Sequence, residues 1–284
     1  MDFQGGKLLA VVGNKLYEID SLGTATERGT VVDDGKPAVI LYNGSTHTII
    51  SGRMGYELDG ATLSLDGDLP SSESGTFIDG YYVVAQFNTQ KIRISNLVSN
   101  TWDALDFASA ESDGDKVKAV IADHRELWIF GERRIEPWYN SGNLDFPFQA
   151  IRGAELETGL VATHSISKLD NGLFWLGADE RGESVVWRSL GHRAIRVSTH
   201  PVENAIQGYS KVDDAVAYSY QQEGHTFYVL YFPAADRTWC YDAATQMWHE
   251  RTRWDATLGG TTLAHRGRCH AYAFGKHLVG DIRS

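Results

Sequence analysis

One hairpin unit recurs seven times along this chain: an apolar alternating run, a tight turn built from Gly, Asp, Asn or His, and a second such run. The clearest copies are Val117–Ile121 with Leu127–Phe130 across Asp123-His124-Arg125, and Ile166–Leu169 with Leu173–Leu176 across Asp170-Asn171-Gly172. Others are Ala215–Tyr220 with Thr226–Phe232 across Glu223-Gly224, and Thr76–Ile78 with Tyr81–Ala85 across Asp79-Gly80. Alternation of period two sends successive side chains to opposite faces, so each run reads as a strand with one buried face. The anchors Gly80, His124, Gly172, Gly224 and Gly267 lie 43 to 52 residues apart, close to the ~40–50 residues of one four-stranded blade. This predicts an all-β fold, a β-propeller of six or seven blades, each of three to four antiparallel strands. The first and last units are incomplete. They either share one blade by ring closure or belong to a longer chain.

Composition supports short strands joined by tight turns, with 29 Gly and 11% aromatic residues among the 284. At 42% hydrophobic the chain can bury a sizeable core, and residues 1–284 read as a single propeller domain. Three stretches depart from the hairpin pattern. Trp102–Ser112 is expected to be a short helix or an irregular crossing, Asn140–Gly159 a long ordered loop, and Pro201–Gly208 one helical turn. Loops that long in a compact domain are usually functional or packed on themselves.

Charge is unevenly spread. The net value is −11, yet residues 1–150 carry 12 Lys and Arg against 22 Asp and Glu, whereas residues 151–284 carry 14 against 15. The stretch 249–283 reverses sign, with Arg251, Arg253, Arg266, Arg268, Lys276 and Arg283 against Glu250, Asp255 and Asp281. Nucleic-acid affinity comes mainly from cations that neutralise phosphates, so an acidic chain is a poor general binder and at most an indirect DNA contact is expected. An acidic wall facing a DNA channel would repel phosphate and keep DNA from sticking. The two cysteines, Cys240 and Cys269, sit in apolar strand-like runs and read as small buried hydrophobes rather than a disulfide framework. No apolar run approaches the ~20 residues of a membrane span, and Leu8–Val12 is too short for the core of a signal peptide.

No constellation points to catalysis. Ser71–Phe77 loosely echoes a sialidase box, with Glu73 and Phe77 where Asp and Trp are usual. Glycosidases need two carboxylates across a bond, and sequence alone cannot pair them. His265, Cys269 and His270, with Cys240 and His249 upstream, are zinc-type residues in the wrong spacing, and a strand puts Cys269 and His270 on opposite faces. There is no Gly-x-Ser-x-Gly, and no phosphate-binding Gly pattern. No catalytic residue, cofactor-binding residue or metal ligand is therefore assigned. The segment Thr238–Glu250 has the look of a kelch-type blade. In it Asp242 fixes a turn through backbone N–H groups two residues on, and Trp248 packs against a neighbouring blade.

Longer strings carry a resemblance. Trp102-Asp103-Ala104-Leu105-Asp106-Phe107 is followed by Ala122-Asp123-His124-Arg125-Glu126-Leu127-Trp128 and by Glu136-Pro137-Trp138-Tyr139-Asn140-Ser141-Gly142-Asn143 leading into Asp145-Phe146-Pro147-Phe148. Then come Lys168-Leu169-Asp170-Asn171, Trp175-Leu176-Gly177, Tyr220-Gln221-Gln222-Glu223-Gly224-His225, and the Trp239–Trp248 segment. These stretches resemble the packaged-DNA stabilisation proteins, the tail accessory or hub proteins of short-tailed bacteriophages, well over residues 100–280 and loosely before. The resemblance implies a non-enzymatic virion part that is assembled in the host bacterial cytoplasm. It would bind below the portal and its adaptor ring, help retain packaged DNA, and seat the tail needle or spike proteins, as a ring of six copies. Family members commonly extend beyond both ends seen here, so the propeller is expected without its N- and C-terminal extensions. Trp138, Tyr139, Phe146 and Phe148 are the candidate protein-contact residues, since aromatic anchors commonly dominate interface energy. The competing reading is that these rings pin the loop to the propeller. The alternative function is a carbohydrate-binding or glycoside-hydrolysing propeller, drawn from the Trp, Tyr and acidic content.

Overall fold

A computed structural model describes residues 1–110, 114–179, 181–258 and 260–281. They form consecutive antiparallel meanders. The first sheet joins Asp2–Gln4, Lys7–Val12, Lys15–Ile19 and Ala25–Thr30; the second joins Val39–Tyr42, His47–Ser51, Met54–Asp59 and Thr62–Asp66. The third joins Ser72–Ile78, Tyr81–Gln86, Lys91–Ser95 and Trp102–Ser109, and the fourth Val117–Asp123, Glu126–Gly131, Ile135–Asn140 and Phe148–Ala150. The fifth sheet has five strands: Gly159–Leu160 and Ser167–Leu169 both pair with Gly172–Ala178, followed by Ser184–Ser189 and Ala194–Arg196. The sixth joins Val216–Gln222, His225–Phe232, Arg237–Asp242 and Met247–Glu250. These six sheets are the blades of a β-propeller.

The turns explain why the hairpins form where they do. Asp79-Gly80, His124-Arg125, Asp170-Asn171 and Glu223-Gly224 all carry positive φ at both positions, between 47° and 89°. Each is a two-residue loop, since Ile78 pairs with Tyr81, Asp123 with Glu126, Leu169 with Gly172 and Gln222 with His225. Two consecutive left-handed residues match the right-handed twist of the flanking strands.

The chain groups into two compact units, residues 1–157 with 271–277, and residues 158–270 with 278–284. In the first unit, Leu9, Leu16, Ile40, Ile49 and Leu58 bury one core between the first two sheets. Val83, Ile92, Ile94, Leu127 and Ile129 bury another between the third and fourth. In the second unit, Phe174, Leu176, Val186, Tyr228, Leu230 and Phe232 pack the fifth sheet on the sixth, with Val202 and Ile206 from the helix.

Several expectations need correcting. Trp102–Ser109 is neither helix nor irregular crossing but the outermost strand of the third sheet, paired with Lys91–Ser95 through a register shift; Ser112 lies outside the described residues. The stretch Asn140–Gly159 is not one loop: Phe148–Ala150 pairs with Ile135–Asn140 as the fourth strand of its sheet. The helical turn at Pro201–Gly208 is a two-turn helix, His200–Gln207, with Pro201 in its first turn, where a missing N–H costs nothing. The incomplete last unit, read from the sequence, belongs to two separate hairpins. Thr261–Ala264 pairs with Thr252–Asp255, and Gly267–Ala273 with Lys276–Asp281. Cys240 is buried but Cys269 is only half-buried.

Candidate protein-contact surface on the fourth sheet

Strand Ile135–Asn140 sits between Glu126–Gly131 and the short outer strand Phe148–Ala150. Its alternation decides which aromatic residue is covered. Trp138 is opposite Leu127 on one side and Ala150 on the other, and it is only 4% exposed. Its indole N–H donates to Glu136 Oε2 at 3.0 Å, which satisfies a buried donor. Phe148, at 2% exposure, joins Trp138 in the core shared by the third and fourth sheets. Phe146 is half-buried against it, with edge contacts to Trp138 and Phe148 at ring separations of 6.4 Å. Tyr139 points the other way and is 44% exposed.

Trp138 and Phe148 therefore hold the loop to the sheet and offer little surface to a partner. The exposed apolar groups are Tyr139 and, at the loop tip, Leu144, which is fully exposed. Leu144 is not among the residues the sequence singles out, although an isolated leucine between Asn143 and Asp145 is a visible signal. Local hydrogen bonds close the loop. Ser141 N–H donates to the Pro147 carbonyl at 2.7 Å, closing its base. Asn140 Oδ1 accepts from Gly142 N–H and Asn143 Oδ1 from Asp145 N–H, the short Asx turns expected of such residues. Asn140 also reaches Asp79 Oδ2 at 3.0 Å, tying the loop to the third sheet's hairpin turn.

In the sixth sheet, Asp242 Oδ1 accepts from Ala244 N–H at 3.0 Å, and Oδ2 accepts from Thr245 Oγ1 and sits 2.7 Å from His225 Nδ1. Burial works to raise this carboxyl, but the bonds from Thr245, His225 and Ala244 outweigh it and hold it below the usual range. Trp248 packs on Tyr241 at 5.1 Å and donates its indole N–H to the Val197 carbonyl at 2.8 Å, linking the sixth sheet to the fifth.

The stretch echoing a sialidase box is strand Ser72–Ile78. Its Glu73 is tied to Lys36 and Arg53, each at 2.6 Å, and despite burial these bonds hold its carboxyl low. A carboxylate held in two ion pairs is poorly placed to take a proton. Among the described residues no three His, Cys, Asp or Glu side chains come together as a metal site, and no helix is long and apolar enough to cross a membrane.

A family model described as "Bacteriophage P22 Gp10, beta-propeller" matches residues 2–284. This chain belongs to that family. It is a structural protein of a phage virion with a propeller fold, and the family resemblance of the long residue strings extends to the first 100 residues as well. No curated protein matches. Solved structures are similar in fold alone. The extracellular domain of a one component system from B. thetaiotaomicron aligns at 8% identity and a TM-score of 0.61, over 99% of this chain and 36% of that one. Dihydro-heme d1 dehydrogenase NirN aligns at 10% identity and 0.56, over 86% and 54%. A chain of the mitotic checkpoint complex aligns at 10% identity and 0.54, over 96% and 79%. Functions this different on one architecture mean that the fold does not choose between them.

Proposed function

We propose that this chain is a head-to-tail hub of a phage tail. It sits below the portal and its adaptor ring, helps retain packaged DNA, and seats the tail needle or spike proteins. It works as a ring of six copies, assembled in the host cytoplasm, with residues 1–284 as its propeller domain, and acts through surface and shape rather than turnover. The observation that carries the reading is the family match over residues 2–284. The contact surface is the exposed side of the fourth sheet and its loop, with Tyr139 and Leu144 as anchors and Trp138, Phe146 and Phe148 as the footing that holds them.

The test is a double variant, Tyr139→Ala with Leu144→Glu, assayed for DNA retention by filled heads. Both side chains are exposed, so thermal unfolding should match wild type while filled heads lose their DNA. Undiminished retention would sink the contact role. Deleting 144–148 is a poorer probe, because it takes Phe148 out of the core. The carbohydrate reading gains nothing from the structure. Of the eight tryptophans only Trp254 is exposed, and of the thirteen tyrosines only Tyr139 and Tyr272, so most of the aromatic content that motivates it is spent on packing.

A further inference from the structure

The hairpin of Thr252–Asp255 with Thr261–Ala264 lies in the second unit and shares no backbone ladder with the sixth sheet among the described residues. Both of its ends are pinned beside a histidine. At the entrance, Arg251 N–H donates to the Thr238 carbonyl at 2.8 Å, and its guanidinium lies over the rings of Tyr220 and Phe227 at 5.3 and 5.1 Å. That guanidinium also donates to Tyr220 Oη and, through Nε, to His249 Nε2 at 3.5 Å. At the exit, Gly267 N–H donates to His265 Nδ1 at 3.0 Å. Between the two ends the hairpin meets the sixth sheet through long bonds. Arg237 reaches the Thr262 carbonyl at 3.5 Å, and Ala264 N–H reaches Asp236 Oδ1 at 3.4 Å.

An arginine side chain and a backbone N–H only donate, so the ring nitrogen facing each of them carries no proton. His249 accepts at Nε2 and His265 at Nδ1, and both rings are neutral in this arrangement. An imidazolium donates from both nitrogens and accepts at neither. Protonation therefore breaks the bond at each end and places a second cation beside Arg251.

We propose that Arg251 is an acid-released latch: protonation of His249 and His265 drives its guanidinium off Tyr220 and Phe227 and frees the hairpin Thr252–Asp255/Thr261–Ala264 from the sixth sheet. The neighbouring groups do little to offset the new charge. On the sixth sheet, Asp242 is already engaged by His225, Thr245 and Ala244, and Glu250 lies 3.5 Å from Arg237. Tyr218, Tyr220 and Cys240 stay neutral, since burial raises all three. Within the hairpin, Arg253 and Asp255 pair with each other at 2.8 Å. On the last two strands, Asp281 lies 3.7 Å from Arg266, and His270 stacks on Tyr218 and Tyr220 at 6.4 and 5.6 Å, in a strand that also carries Arg268 and Cys269. Burial first, and Arg251 second, hold His249 and His265 below the ordinary 6.5. The latched state refuses protons that the released hairpin takes, so the latch weakens as pH falls below 6.5.

The test is amide hydrogen exchange read by mass spectrometry on the intact chain, with rates corrected for the intrinsic effect of pH. Thr252–Asp255 and Thr261–Ala264 are followed against Ser184–Ser189, a strand of the fifth sheet without histidine. From about pH 7.5 to about pH 5.5 the hairpin should lose protection at least about tenfold relative to that strand. His249→Gln with His265→Gln should abolish the relative loss. His249→Gln alone, at an exposed position, should already reduce it. Arg251→Met keeps the stem and removes the cation, so its hairpin should be weakly protected at both pH values. Protection of Ser184–Ser189 reports that each variant remains folded. A smaller loss in the wild type, an undiminished loss in the double variant, or wild-type protection of the Arg251→Met hairpin at the higher pH would each overturn the latch.

Discussion

Asp115 organises more backbone than any other side chain described above. It is buried, and its two oxygens accept from the N–H groups of Glu132, Arg133 and Arg134 at 2.9 to 3.2 Å. Those donors sit in the turn between two strands of the fourth sheet; Glu132 N–H also donates to the Lys116 carbonyl at 3.1 Å, whereas Arg133 and Arg134 rely on the carboxylate. Asp115→Ala orphans the last two, so a loss of about 2 kcal/mol is expected in urea unfolding of the first unit. A loss under about 1 kcal/mol would show that water replaces the carboxylate. His47 behaves oppositely with charge. It is 3% exposed, and burial lowers its imidazole below the ordinary 6.5. Above 6.5 it is neutral folded and unfolded and contributes no pH dependence. As pH falls below 6.5 the unfolded chain takes a proton that the folded chain refuses, so stability declines until the folded value is passed. His47→Gln should flatten part of that decline in thermal melts as the pH falls below about 6.5. The remainder belongs to His249 and His265, whose values are lowered by burial in the same direction. Cys240 is a third case: burial pushes its thiol up to about 11. A maleimide titration should label Cys269 first and leave Cys240 unmodified until unfolding.

At the scale of elements, the hairpin turns explain most of what the sequence made legible. A tight turn flanked by alternating runs is local information, and four turns sit where their Asp, Asn, Gly or His residues indicated. His124-Arg125 is the costly one. Both have positive φ, 48° and 64°, without Gly or Asn to relieve the crowding. Arg125 is 88% exposed and lies 3.7 Å from Asp79, a pair of little worth. Arg125→Gly should therefore raise stability by about 1 kcal/mol in chemical denaturation; a decrease would mean that the Asp79 contact outweighs the backbone strain. Trp102–Ser109 was misread for a physical reason. Its apolar residues at 102, 105 and 108 follow helical spacing, and only pairing with Lys91–Ser95, which is not local, makes it a strand. Phe148–Ala150 was lost inside a loop because three residues are too few to show alternation. The candidate site suffered likewise. Sequence marked Trp138, Tyr139, Phe146 and Phe148 as one aromatic group, but which of them faces solvent depends on Leu127 and Ala108, supplied by other strands.

At the scale of the whole molecule, charge sets how readily the chain could bind DNA. The acidic excess falls on residues 1–150. The basic stretch near the C-terminus looked like an exception in sequence, yet its cations are largely engaged. Arg253 pairs with Asp255 at 2.8 Å and Arg266 with Asp281 at 3.7 Å. Arg251 lies over the rings of Tyr220 and Phe227 at 5.3 and 5.1 Å; Arg283 lies outside the described residues. A cation already paired with a carboxylate releases fewer counterions when it meets phosphate, and counterion release is the main source of non-specific DNA affinity. The purified chain is therefore expected not to retard a short DNA duplex in a gel at about 0.15 M salt. Lowering the salt should not rescue binding, because weaker screening strengthens the repulsion between the acidic half and phosphate. Retardation that grows steeply as salt falls would contradict this, and would show that the chain binds DNA directly through its own cations.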